Sequence, residues 1–507
     1  MARSHGERAA WLLAFALGAF LRLEDAGRPF DNRSLSPWRE SDYVGIARSF
    51  ARESFDPLHP RVDWRGDTPG YAEMELPALP WAAGLLDRML GDDELRMRWF
   101  SALASLAGLF AFAGLARATL SRVAAPCAAL LFALQPLLVY LAPAMQPDAA
   151  MVLFVMLAVR RLWRFEESGS GRDLIVASAC AGAAALLKAP GAFVDFLLAE
   201  SVVRVRGVRG ILRLDVLVAA ACALVPAGAW YAWAHHFWLE YGHSLGLSNE
   251  THGLNLAVLS SPAAFLGNLR EEFHHVFGAP GLALAAAAVV LRPARWTRLL
   301  RFGGAVALFY FLALDTSGDE WAFYYHALSA APAALLMGAG FGALLEFAPR
   351  ARERRPWLAT GATASAWLLA AATAGVLLYA TIDLRRMRDQ GDARLEAFAC
   401  AQEFRAELPP GARLVYDGGV ATDVHGHPVA HNASTWFAWL DRHGATYATG
   451  AASLAELDAY ARRGGWYWIA KEQELADPAF RAAVDARHRL VAACGGAYRL
   501  YELVAGR

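Results

Sequence analysis

The chain has 507 residues, 56% of them hydrophobic and only 19% charged, with a formal net charge of zero and a mean hydropathy of +0.28. A charged fraction below the roughly 25% of soluble domains points to a membrane protein carrying some soluble mass. The neutral balance argues against nucleic acid as the main partner.

A hydrocarbon core of ~30 Å calls for roughly 17–25 apolar residues per helix. About eleven such runs are found, near 9–24, 99–116, 123–142, 148–163, 173–189, 190–204, 214–235, 277–292, 302–316, 323–346 and 357–381. No convincing small-residue cleavage site follows the first run, which is expected to stay as an anchor. Arginine excess in short loops marks the cytoplasmic side. Arg3 and Arg8 precede the first run, and Arg117 and Arg122 follow the second. Arg160, Arg161, Arg164 and Arg172 follow the fourth, and "RVRGVRGILR", "RPARWTRLLR" and "RARERR" continue the alternation. Every second loop is basic. This phase predicts a cytoplasmic N-terminus and an outer C-terminus. Nearly all basic residues are arginine, Lys188 and Lys471 being the only lysines. With abundant alanine and glycine, that usage suits a GC-rich bacterial genome and so a bacterial cytoplasmic membrane.

The outer side then holds a long first loop, 25–98, several shorter loops, and a polar tail from 385 onward. In the tail, "ARLVYDGG", "GWYWIA" and "HRLVAACGGAYRLYEL" read as strands. "SLAELDAYARR" and "DPAFRAAVDAR" carry the 3.6-residue period of helices. The expectation is a membrane domain over 1–384 and a soluble α/β domain over 385–507. Trp436, Trp466 and Trp468 are expected to pack that domain's core, with sugar stacking as the alternative. Cys400 and Cys494 lie near its two ends, where an oxidising compartment permits a disulfide.

Ionisable groups near a bilayer are costly unless paired or functional. The outer segments hold the candidates. "WRESDYVGIARSF" (38–50) carries Glu40 and Asp42 at the start of an amphipathic helix, and Glu75 follows in the same loop. Asp148 follows Pro147 at the entry to the fourth run, and Lys188 ends the fifth in "LLKAPGAF". His326 stands in a tyrosine-rich stretch after the ninth, at the start of the tenth. Each has a plainer reading. Asp42 and Asp148 suit first-turn acids facing a helix dipole. Lys188 suits a snorkelling side chain, and His326 an interfacial hydrogen-bonder. "HGHPVAH" (His425, His427, His431) is a loop without Cys or Asp partners at metal-site spacing.

These motifs, in this order, resemble the GT-C superfamily of membrane glycosyltransferases, in particular the family 39 group with the protein O-mannosyltransferases and the lipid A aminoarabinose transferase. "WRESDYVGIARSFARE" is similar to the family's first-loop acidic motif and surface helix. "DWRGDTPGYAEMELPALPWAAGLLDRMLG" is similar to its second motif, "RMRWFSALASLAGL" to the Arg-led entry to the next span, and "LQPLLVYLAPAMQPDAAMVLF" and "LLKAPGAF" to its Pro-Asp and Lys-Pro turns. The resemblance covers about 30–200 well and the later spans loosely. It implies a multi-span α-helical fold and inverting sugar transfer from a polyprenyl-phosphate donor to a lipid, glycan or protein hydroxyl. Asp42 matches the catalytic acid, with Glu40 as rival, and Glu75 the acid of the second motif. Leu76 stands where relatives often have lysine, so a donor-phosphate role passes to Lys188 or Arg98. Asp148 and His326 match the acid of the second outer loop and a late aromatic-His stretch, and both are expected, with Lys188 and Arg98, as substrate-binding residues. The acid-rich site leaves room for a divalent cation, as in oligosaccharyltransferase relatives, but the closer relatives mostly manage without one, so neither a metal nor another cofactor is predicted.

A lipid-linked-sugar transporter or an O-antigen polymerase or ligase also has many spans and outer loops. The spans show no paired Gly/Pro-broken segments in matching halves, against a transporter. The longest outer loop comes first, against a ligase. A non-enzymatic scaffold built on the C-terminal domain is the third reading.

Overall fold

The computed structural model describes residues 5–31, 33–34, 37–249, 262–318, 320–352, 356–390, 392–422 and 432–506. It divides into two compact units. One comprises Met1–Arg28, Arg98–Trp230 and His252–Arg386; the other Pro29–Met97, Tyr231–Thr251 and Met387–Arg507.

The described residues of the first unit form helices joined by turns. Each expected apolar run coincides with a helix or a broken helix pair. Among the described residues, five helices are long and apolar enough to cross a membrane: Arg96–Thr119, Leu214–Tyr241, Pro262–Leu291, Ala322–Arg350 and Pro356–Asp389. The other runs are shorter helices or carry more charge. Pro262–Leu291 starts well before the expected 277, because a π-turn over Phe273–Phe277 lets the helix continue.

Small residues set the helix spacing. A side chain at Gly340 would collide with the Leu284 carbonyl of the neighbouring helix, so only glycine permits this approach. The run expected over 123–142 is broken into Ala124–Ala133 and Pro136–Leu141, because Pro136 cannot continue the first helix. The break frees carbonyls in an apolar setting. Arg22, fully buried, donates to Ala133 O at 2.8 Å and to Ser105 Oγ at 3.1 Å, and so caps that helix end.

Asp148 and Glu166 lie near opposite ends of helix Asp148–Ser168. At 1.5 Å per residue such a helix is about 30 Å long, close to the hydrocarbon thickness. Glu166 is held by Arg204, Arg298 and Arg301. The expected basic level and the level of Asp148 are thus a membrane's thickness apart on one rigid rod.

The second unit combines the first loop with the C-terminal region. Helix Pro37–Arg52 packs on helix Ala78–Leu90, and Gly84 is needed because a side chain there would lie 2.7 Å from the Ala47 carbonyl. The sheet has strands β1 (Arg413–Gly419), β2 (Gly444–Ala448), β3 (Trp466–Lys471), β4 (Arg489–Cys494) and β5 (Tyr498–Glu502). Their order is β2-β1-β3-β5-β4. β1 to β3 are parallel, and β4 and β5 close the sheet as an antiparallel hairpin. Helices Leu454–Ala461 and Pro478–Arg487 stand where expected, capped by Ser453 and Asp477. β2 and the helix Asp392–Glu407 were not foreseen. Trp436, Trp466 and Trp468 are all buried in the core, as the first reading held. Cys400 and Cys494 form a disulfide with Cα atoms 5.5 Å apart.

Candidate active site

Helix Pro37–Arg52 opens on proline, whose fixed φ suits a first helical residue. Almost all of it from Glu40 to Phe50 is buried, including Glu40, Ser41 and Asp42. Buried polar groups need partners. Asp42 Oδ1 accepts from Trp64 Nε1 at 2.8 Å, while Oδ2 is buried with no hydrogen-bond partner. Burial pushes the Asp42 carboxyl up to about 7. The nearby Ser434 hydroxyl, the Trp64 hydrogen bond and the charge of Arg39 pull it back, and the neighbouring charge of Asp63 adds to the rise. The Trp64 and His243 rings stand edge to face with centroids 4.9 Å apart, and His243 Nε2 bonds Thr68 Oγ1 at 2.8 Å. Burial lowers His243 to about 4, so its ring is neutral near pH 7.

Glu75 lies in the same unit as Asp42. Its Oε1 accepts from Tyr43 OH at 2.7 Å, and Arg39 stands 3.8 Å from its Oε2. Glu40 is buried on the same helix. Glu73, which carried no role in the sequence reading, accepts from Ser244 Oγ at 2.6 Å, Ser248 Oγ at 2.8 Å and His235 Nδ1 at 2.9 Å. It pins the segment after helix Leu214–Tyr241 to the first loop.

The remaining candidates lie in the other unit. Lys188 and Asp148 are partners: Lys188 Nζ donates to the two Asp148 oxygens at 2.7 and 2.8 Å. Lys188 leaves its helix in an extended conformation before Pro190, and the turn closes because Gly191 has no side chain to strike Ala184. The ammonium also lies 4.8 Å from the Tyr324 ring centre and 5.9 Å from that of Tyr325. Arg98 donates to Pro143 O at 3.0 Å, and Ser101 to Gln146 O at 2.9 Å, so both hold the turn that leads into Asp148. His326 is fully buried. Its Nδ1 bonds Glu272 at 2.7 Å and its Nε2 the Ser317 carbonyl at 3.0 Å. Ser329 Oγ reaches the same Glu272 oxygen at 2.6 Å. Glu272, Tyr310 and Ser329 border an apolar groove of about 460 Å³ lined by Phe265, Leu269 and Phe311.

The structure therefore groups Asp42, Glu40 and Glu75 in one unit and Asp148, Lys188, Arg98 and His326 in the other. Sequence reasoning missed Trp64, Tyr43, Ser434 and Glu272. Trp64 lies within the quoted second motif, and only a search for a buried donor to Asp42 would have found it. His425, His427 and His431 lie outside the described residues. Among the described residues no three His, Cys, Asp or Glu side chains converge as a metal site requires.

Residues 68–233 match the family model described as dolichyl-phosphate-mannose-protein mannosyltransferase. No curated protein matches the chain by sequence. Among solved structures, the chain is similar to ArnT from Cupriavidus metallidurans bound to undecaprenyl phosphate, with 15% identity, TM-score 0.64 and 100% of each chain covered. The Archaeoglobus fulgidus oligosaccharyltransferase tethered with an acceptor peptide matches with 14% identity and TM-score 0.54, over 95% of this chain and 71% of that one. The arabinofuranosyltransferase AftD from Mycobacteria matches with 14% identity and TM-score 0.53, over 100% of this chain and 42% of that one.

Proposed function

We propose that this chain is an inverting glycosyltransferase that moves a sugar from a polyprenyl-phosphate donor to a hydroxyl acceptor at the outer face of a bacterial cytoplasmic membrane. The observation that carries the reading is the free oxygen of Asp42, buried, without a donor, on a carboxylate raised to about 7. A general base is most effective with a pKa near the working pH, and contributes about 10²–10⁴-fold. Support also comes from the fold and from the family model over 68–233.

In this mechanism Asp42 Oδ2 takes the proton of the acceptor hydroxyl. The acceptor oxygen forms its bond to the anomeric carbon from the face opposite the leaving group. The bond from that carbon to the phosphate oxygen breaks, and its electron pair leaves with the lipid phosphate. That product is a stable anion, so no strong acid is required. Trp64 holds Asp42 through Oδ1 and leaves Oδ2 for the proton. Lys188 is the candidate cation for the leaving phosphate. It enters that role already paired with Asp148, so phosphate binding has to share or displace an existing carboxylate contact. Arg98 acts by shaping the turn before Asp148. Glu75 acts through Tyr43 and Arg39 on the helix that carries Asp42. The N-terminus faces the cytoplasm and the C-terminal domain the outside, on the strength of the alternating arginine-rich loops.

The test is purified protein in detergent with a panel of radiolabelled polyprenyl-phosphate sugars and lipid and peptide acceptors. The expected result is sugar lost from one donor, abolished in Asp42→Asn and retained in Glu40→Gln. Turnover that survives Asp42→Asn and is lost in Glu40→Gln moves the base to Glu40.

A further inference from the structure

The C-terminal region shares one compact unit with the first loop and is hydrogen-bonded to it. The segment that enters its short helix Thr435–Leu440 lies against the helix of Asp42. Ser434, at the foot of that segment, is 1% exposed. Its hydroxyl donates to the Trp38 carbonyl at 3.1 Å and stands beside the Asp42 carboxylate.

We propose that Ser434, supplied by the C-terminal domain, is a positioning residue for Asp42, so that this domain completes the environment of the base. The inference rests on the reading of Asp42 as base given above.

The argument is one of donors and acceptors. Asp42 has two oxygens in a buried setting, and Trp64 supplies one proton, to Oδ1. A serine hydroxyl has a single proton and a free rotor. Turned to Trp38, it leaves Asp42 Oδ2 open to the acceptor's proton. Shifted slightly toward Asp42, with which it makes no hydrogen bond as it stands, it steadies the ionised carboxylate. One hydroxyl thus serves both protonation states. The groups that face Asp42 are Trp64, Arg39, Asp63 and Ser434, and of these only Ser434 comes from beyond the first loop.

Ser434 is held at this spot from both sides. Before it, Asn432 Nδ2 donates to Ser244 O at 3.3 Å. After it, Arg48 donates to the Ala438 carbonyl, and Arg52 Nη1 meets Asp441 at 2.8 Å. Gly444 N donates to Asp63 O at 2.9 Å, and Gly66 N to Gly444 O at 2.8 Å, so the start of β2 is stitched to the stretch that carries Trp64. Such a set of contacts fixes a side chain far more tightly than a tethered cap requires.

The test uses full-length protein as wild type, Ser434→Ala, Ser434→Thr and Asp42→Asn. Two readings are taken: the pH profile of transfer from the radiolabelled polyprenyl-phosphate sugar, and the melting temperature in detergent from pH 4 to 9, which needs no substrate. Loss of a hydrogen bond to an ionised carboxylate raises its pKa by roughly one to two pH units. Ser434→Ala is therefore expected to move the acidic limb of the rate profile up by about one unit. It should move the upper end of the Asp42-dependent melting curve by the same amount. Ser434→Thr should restore both. Unshifted curves in Ser434→Ala, or equal shifts in alanine and threonine variants, overturn the positioning role. A variant too slow to assay still yields the melting curve. Failure of the underlying reading looks different, since Asp42→Asn would then turn over whatever Ser434 does.

Discussion

Trp64 Nε1 donates to Asp42 Oδ1 at 2.8 Å and leaves the other oxygen of that buried carboxylate without a partner. The indole orients the carboxylate, and burial raises its pKa. Trp64→Phe keeps an aromatic side chain and removes the donor. Loss of a hydrogen bond to a charged group costs about 1.5–3 kcal/mol, so kcat should fall by roughly 10- to 100-fold. The acidic limb of the rate profile should move to higher pH. Steady-state kinetics on the variant measure both.

The stability of the chain should carry the mark of Asp42. Its folded pKa of about 7 lies above the ordinary 3.8. A raised pKa means that the folded state favours the protonated form. The contribution is full below about pH 4 and is lost as pH rises to about 7. Asp42→Asn should therefore melt higher than wild type above pH 7, by an amount on the order of a few kcal/mol. The two should converge near pH 4. Melting temperatures in detergent across this range give the answer.

His443 offers the opposite case. Hydrogen bonds to Asp63 and Glu53 raise it from 6.5 to about 9. That stabilisation is complete below pH 6.5 and lost as pH rises through about 9. The side chain is 49% exposed, so solvent screening reduces its worth. His443→Gln should lower the melting temperature by the equivalent of about 1 kcal/mol at pH 6 and leave it unchanged above pH 9.

Lys188 and Asp148 form a buried pair. Removing one partner of such a pair strands a charge at a cost of about 3–5 kcal/mol. Lys188→Met should therefore be poorly stable. Adding Asp148→Asn should restore most of the stability and none of the transfer activity. Thermal melts and the transfer assay on the single and double variants separate the structural share of Lys188 from its share in phosphate binding.

The disulfide between Cys400 and Cys494 spans 94 residues. A loop of that size gives about 4–5 kcal/mol of stabilisation in the chain-entropy model. Reduction, or Cys400→Ser with Cys494→Ser, should lower the melting temperature of the unit that contains both cysteines. Gel mobility with and without reductant checks that the bond is present.

The helical frame was legible in the sequence because long apolar runs have few other ways to satisfy their backbone in lipid. The strands β1, β3, β4 and β5 were legible from their β-branched and aromatic residues. β2, "GATYA", was not. Its weak strand composition reflects a packing demand, since a side chain at Gly444 would strike the Leu414 carbonyl. The acids of the site were legible as costly charges at helix starts. Their partners were not. The Lys188–Asp148 pair joins two turns that the sequence presents as separate features. Trp64 and Ser434 approach Asp42 from distant stretches, and both resemble ordinary core or loop residues when read alone. His326 read as a substrate contact, and in the structure both of its ring nitrogens are already engaged, by Glu272 and Ser317.

The most direct test of the central claim is the single-turnover rate of Asp42→Asn beside wild type, at pH 6, 7 and 8, with a radiolabelled polyprenyl-phosphate sugar already bound. The account predicts that the variant binds the donor as wild type does and transfers about 10²–10⁴-fold more slowly. It also predicts a wild-type rate that rises through pH 7 and a variant rate that does not. Transfer by Asp42→Asn near the wild-type rate, with the same rise through pH 7, would contradict it.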